Sequence, residues 1–127
     1  MQIRHVNAPD APAPSGQFTH AVEVSGATRT VYISGQVGTD MDGSVPEDAE
    51  AQGRLVWRNI EAQLRAVGMG FDNIVKMVTI ITSLDHLAAS RVTRSAALGA
   101  RKPASTLIVG GLVNPALKIE VEVVAVA

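Results

Sequence analysis

The sequence contains no cysteine. That excludes disulfides, thiolate nucleophiles and cysteine-bound zinc, and it is compatible with a reducing compartment. Aromatic residues are scarce: Phe18, Tyr32, Trp57 and Phe71 are the full set. Rings on which nucleic-acid bases would stack are therefore missing, and any core has to be built from Val, Ile, Leu and Ala within the 46% hydrophobic content. Neither sign of charge dominates. Eleven Lys and Arg against twelve Asp and Glu leave a formal charge of -1, so no net field draws the protein to phosphate backbones or acidic membranes. No apolar run approaches a bilayer span, and the N-terminal M-Q-I-R-H-V-N lacks the basic and apolar regions of a signal peptide. The expectation is a soluble cytoplasmic protein that binds neither nucleic acid nor membrane. Its 127 residues, without repeats or low-complexity tracts, fit one domain over residues 1–127.

Beyond the Pro/Ala-rich segment at 8–16, F-T-H-A-V-E-V at 18–24 and T-V-Y-I-S-G-Q at 30–36 are β-rich and separated by the turn-forming S-G-A-T, which predicts a hairpin. A short strand at 2–6 precedes them. Ser44, three residues before Glu47 and with Pro46 between, predicts a capping box and a helix start. Ala49, Gly53, Val56, Ile60, Leu64 and Val67 then recur at helical steps, with Arg54, Arg58, Glu61 and Arg65 elsewhere and Gly68 and Gly70 closing the run. I-V-K-M-V-T-I-I-T at 74–82 predicts a strand covered on both faces. Residues 84–99 predict a second helix, capped by Ser83 or Asp85, with a weak stripe of Leu87, Ala88, Val92 and Ala96. Strands at 105–110 and 118–126 complete an α+β sandwich, a mixed sheet with two helices on one face. An apolar uncovered face would call for oligomerisation.

Few constellations carry chemistry by spacing alone. His5, His20 and His86 stand apart without an i, i+4 partner, so no metal site is expected. D-M-D-G at 40–43 lacks the later ligands of a calcium loop and is better explained as a turn. Gly110-Gly111 is followed by no phosphate-loop lysine. Ser105 and Thr106, directly after R-K-P-A, have no G-x-S-x-G elbow around them and no base tied to them by spacing. In K-I-E-V-E-V, Lys118, Glu120 and Glu122 share one strand face and Ile119, Val121 and Val123 the other. A solvated face accounts for that pattern as well as a site does.

The segments taken together say more. S-G-Q-F-T-H-A-V, V-Y-I-S-G-Q-V-G-T-D, W-R-N-I-E-A-Q-L-R-A-V-G, D-N-I-V-K-M-V-T, P-A-S-T-L-I-V-G and K-I-E-V-E-V-V-A-V resemble, over almost the whole length, the RidA (YjgF) family of reactive intermediate deaminases. The resemblance implies a chorismate-mutase-like α+β fold, assembled as a homotrimer whose sheets form a central barrel. Ligand pockets lie between subunits in that family. Its best-characterised members hydrolyse short-lived imines and enamines to keto acids and ammonia, without a cofactor. A guanidinium binds the substrate carboxylate there and a glutamate handles water at the C=N carbon.

Carried over by position, Glu120 matches the family's glutamate, and Ser34 and Gly35 its small pocket-lining pair. Phe18 stands where a tyrosine is usual, and His20 where a glutamine is common. Ser105 occupies the place of the anchor arginine, which suggests a P-A-S-T branch lacking that arginine. Arg91 falls where deaminases often have a pocket-facing asparagine; it either restores positive charge from another wall or is a solvated helix residue. The leading expectation is an imine or enamine hydrolase with altered substrate choice. Glu120 would handle proton and water, the amides near Ser105 and Thr106 would hold an oxygen, and Phe18, His20, Ser34, Gly35 and Arg91 would shape the pocket. The alternative is a trimeric module that binds a small metabolite without turning it over. Ribonuclease activity, also ascribed to the family, finds no basic stripe or paired histidines here.

Overall fold

Gly26 directs the first half of the chain. Its φ of +72° is a conformation in which a Cβ is strained, and it turns the chain out of strand β2 (Ala21–Ser25) away from strand β3 (Thr30–Val37). The Thr28 and Arg29 amides then both donate to the Ala127 carbonyl at 2.8 Å. The expected hairpin between these two strands therefore does not form. β2 pairs antiparallel with β1 (Gln2–Val6) from Gln2↔Ser25 to Val6↔Ala21. β3 pairs instead with the last strand.

The computed structural model describes all of residues 1–127. After β3 come helix α1 (Ala49–Ala66), strand β4 (Ile74–Ile81), helix α2 (Leu87–Leu98) and strands β5 (Ala104–Val109) and β6 (Ile119–Val126). The main sheet runs β3-β6-β4-β5, antiparallel except for the parallel β4–β5 pair. This is the mixed sheet with two helices that the pattern predicts. No helix is long and apolar enough to cross a membrane.

The first helix begins later than the expected capping box. Asp48, not Ser44, is its N-cap, with Oδ2 accepting from the Ala51 amide at 2.9 Å. Ser44 turns to Asp42 instead, donating from Oγ to Oδ1 at 2.6 Å. The buried face of α1 carries Gln52, Gly53, Val56, Trp57, Ile60 and Leu64. These meet Ile33, Met77, Ile81, Ile119, Val121 and Val123 from the sheet. Each fully buried aliphatic side chain contributes about 1.5–3 kcal/mol, so this layer supplies most of the fold's cohesion.

For α2 the Ser83 cap holds, accepting from the Asp85 amide at 3.1 Å through a single 3₁₀ turn that precedes the helix. The expected stripe does not. Of its members only Leu87 packs against the core; Ala88, Val92 and Ala96 are exposed, and the inward residues are Ser90, Thr93 and Leu98 with Leu87, Ala89 and Ala97 at the margin. Small polar residues face inward because the helices approach closely: a Cβ on Gly53 would lie 2.4 Å from Thr93 Oγ1. Thr93 satisfies that hydroxyl on the Ala89 carbonyl at 2.8 Å.

β4 is fully buried on one face only. Met77, Thr79 and Ile81 are buried, whereas Lys76, Val78 and Ile80 are half-exposed. The register groups the uncovered face into rows: Tyr32, Val124 and Lys76; then Glu122, Val78 and Thr106; then Glu120, Ile80 and Ile108. Tyr32 is 80% exposed there, so the face is substantially apolar and open.

Candidate functional site

Two ties, one through backbone and one through a side chain, carry the first loop to the edge of β5. Thr19 and Ala104 form an isolated parallel bridge, and Thr19 Oγ1 donates to the Lys102 carbonyl at 2.8 Å. The tie sets Phe18 beside Ser105. A cavity of about 620 Å³ lies between loop 15–18, the inner side of α2 and the edge of the sheet, and Phe18, Thr79, Arg91, Arg94 and Ser105 contribute to its walls. Its size suits a small metabolite. Its lining contains two guanidinium groups and no carboxylate.

Glu120 lies elsewhere. It pairs with Ile80, while Ser105 pairs with Met77. Side chains alternate along a strand, so Glu120 projects from the open face and Ser105 from the face toward α2. The Glu120 carboxylate occupies the space over Gly35, where a Cβ would stand 2.5 Å from Glu120 Cδ and 2.7 Å from Oε1. Any larger residue at 35 would push it away. The carboxylate forms no salt bridge and is half-buried. Ser34 is exposed beside it, at an irregularity in the β3–β6 register between Ile33 and Gln36. Glu120 thus groups with Ser34 and Gly35 on the open side of the sheet, and Ser105 with Phe18 and Arg91 on the side of α2.

The remaining expected residues fall outside both. His20 does not line the cavity: its Nε2 lies 2.8 Å from the Pro12 carbonyl and its ring meets Phe18 edge-on, with centroids 5.5 Å apart. It braces the loop that presents Phe18. Thr106 is on the open face, where its Oγ1 accepts from Lys76 Nζ at 3.3 Å. Arg91 does line the cavity, from an exposed position. No three His, Asp or Glu side chains converge to hold a metal ion.

Two residues important to this geometry carry no motif. Gln52 is wholly buried; its Nε2 donates to the carbonyls of Pro46 at 2.8 Å and Ala116 at 2.9 Å, and its Oε1 accepts from the Lys118 amide at 2.8 Å. It fixes the start of β6, two residues before Glu120. Arg94 is half-buried, and the cost of burial pushes its guanidinium below the ordinary arginine value. The available signal was its i+3 spacing from Arg91, which puts both on one helix face.

A mixed sheet backed by two helices, with a small polar cleft at its edge, defines an α+β protein with room for a small molecule beside its sheet. Residues 8–127 match the family model described as Endoribonuclease L-PSP. The chain belongs to that family, the RidA/YjgF/L-PSP proteins. It is 31% identical over 121 residues to the 2-iminobutanoate/2-iminopropanoate deaminase of Salmonella typhimurium, covering 92% of each chain. A RutC family protein of Aquifex aeolicus is 35% identical over 83 residues, 65% of this chain and 64% of that one. Among solved structures, a protein of unknown function of the conserved Rid family, YyfB from Yersinia pestis, superposes with a TM-score of 0.84 at 32% identity over 100% of both chains.

Proposed function

We propose that the protein is a hydrolase of small imine or enamine metabolites, working as a homotrimer in clefts where the Glu120 half-site of one protomer meets the Ser105 half-site of its partner. The observation that carries this reading is the Glu120 carboxylate, without an ion-pair partner and seated over Gly35 on an open apolar face. An acceptor-only group so placed is suited to take a proton from water as the oxygen adds to the C=N carbon. Glu120 returns that proton to the imine nitrogen, which gives the neutral carbinolamine; it then takes the hydroxyl proton and passes it to nitrogen as the C–N bond breaks and C=O forms, so that ammonia and a keto acid leave. Deaminase activity in the Salmonella relative supports the same chemistry.

Ser105 alters substrate choice in this scheme. A hydroxyl offers one donor where an arginine offers a fixed cationic fork, so a carboxylate is not held from β5. That same residue favours a second reading, a trimer that binds a carbonyl metabolite without converting it.

Imine hydrolysis separates the two. With 2-imino acids generated in place by an amino-acid oxidase, wild type is expected to accelerate keto-acid release, and Glu120→Gln to lose about 10²–10⁴-fold of that rate. An active protein indifferent to Glu120→Gln would refute the mechanism. Wild-type silence with activity gained in Ser105→Arg would support the binding module.

A further inference from the structure

The cavity beside α2 contains a half-buried cation for which the protomer itself supplies no counter-charge. Arg94 lines it together with Ser105, Thr79, Ser90 and Ser95. Its one hydrogen bond within the protein runs from Nη2 to the Gln17 carbonyl. A guanidinium has five N–H donors, so most of its hydrogen-bonding capacity is unspent. Arg4, Arg54, Arg58, Arg65 and Arg101 all have carboxylate partners; Arg29, Arg91 and Arg94 have none, and of these three only Arg94 is half-buried. A half-buried cation facing neutral hydroxyls is unfavourable until an anion joins it.

We infer that Arg94 is the carboxylate anchor of this protein: the positive fork that Ser105 does not supply from β5 comes from α2 and receives the carboxylate of a 2-imino or 2-oxo acid. Arg94 has the better geometry of the two α2 arginines. It is more buried than Arg91, so its attraction is less screened, and the Gln17 tether already restricts its rotamers, which lowers the entropy lost on binding. The tether also couples the anchor to the loop that carries Phe18. Arg91, one turn earlier and exposed, adds field at the mouth.

The inference rests on the proposal that this cleft takes an imino acid, and the two fail differently. Titration calorimetry with 2-oxobutanoate and with its uncharged counterpart 2-oxobutanamide reads the anchor without requiring turnover. Wild type is expected to prefer the carboxylate. Arg94→Gln is expected to lose about 10–100-fold in affinity for 2-oxobutanoate and little for the amide. Arg94→Lys is expected to fall between, and adding Ser105→Arg to Arg94→Gln to restore carboxylate preference. Arg91→Gln should change the affinity less than about 3-fold, as expected of a screened surface charge. Equal losses for acid and amide in Arg94→Gln would show a loop tether only and overturn the assignment. So would absence of 2-oxobutanoate binding to wild type, or an unchanged carboxylate preference in Arg94→Gln. If Arg94→Gln does not fold, by circular dichroism, Arg94→Lys decides: retained full preference overturns the fork. Arg94-dependent binding without imine turnover in wild type leaves the anchor standing and removes the hydrolase reading; turnover with an unchanged KM in Arg94→Gln does the reverse.

Discussion

At the scale of single residues, the seat of Glu120 is set by an absence. Gly35 leaves room for a carboxylate that a methyl group would displace, and what would be displaced is the end of a flexible side chain rather than backbone. Gly35→Ala is therefore expected to leave stability within about 0.5 kcal/mol of wild type while lowering turnover about 10–100-fold through misplacement of the base. Thermal melts beside imine-hydrolysis rates check both halves; unchanged turnover would mean that the seat is irrelevant. Glu120 itself was legible because alternation in K-I-E-V-E-V puts it opposite the core and the resemblance gave it a role. Arg94 was not legible. Helix periodicity marks a face, but whether a cation on that face meets solvent, a carboxylate or a cavity depends on what a distant segment brings against it, here loop 15–18.

At the scale of elements, the coupling of α1 to β6 through Gln52 matters most. Gln52→Leu keeps the volume but strands the Lys118 amide and removes the donor to two carbonyls. Unsatisfied buried groups make this cost about 2–4 kcal/mol, readable as a lowered midpoint in urea at fixed protein concentration, with Glu120 loosened as well. A change below 0.5 kcal/mol, on the order of a surface substitution, would mean that water replaces the amide. Element identity followed from pattern: α1 from its helical repeat, β4 from its β-branched run, β6 from alternation. Pairing did not. The β2–β3 hairpin fails because Gly26 and the Ala127 carbonyl redirect the chain, a contact across a hundred residues to which local turn chemistry is blind. Beyond Leu87 the α2 stripe fails because Gly53 lets Thr93 pack where a larger apolar residue does not fit.

At the scale of the whole molecule, the open sheet face is the unfinished part. Val78, Ile80 and Val124 are half-exposed, and Tyr32 and Ile108 more so, which fits a surface buried between copies better than one left in water. Light scattering is expected to give three times the protomer mass, and Ile80→Lys, which puts a charge in the middle of that face, to give monomers with little or no turnover. A monomeric wild type that hydrolyses imines would refute the trimeric cleft. The β4 register also sets Glu120 and Ser105 on opposite sides of the same sheet. In the proposed trimer no protomer then owns a complete cleft, and genetic dominance and recessiveness are redistributed. Two impaired variants, one damaged at Glu120 and the other at Arg94, are expected to regain activity at low substrate when unfolded and reassembled together, since a trimer drawn from both has whole clefts at about a quarter of its interfaces. If that reading holds, the unit on which selection acts is the interface rather than the chain.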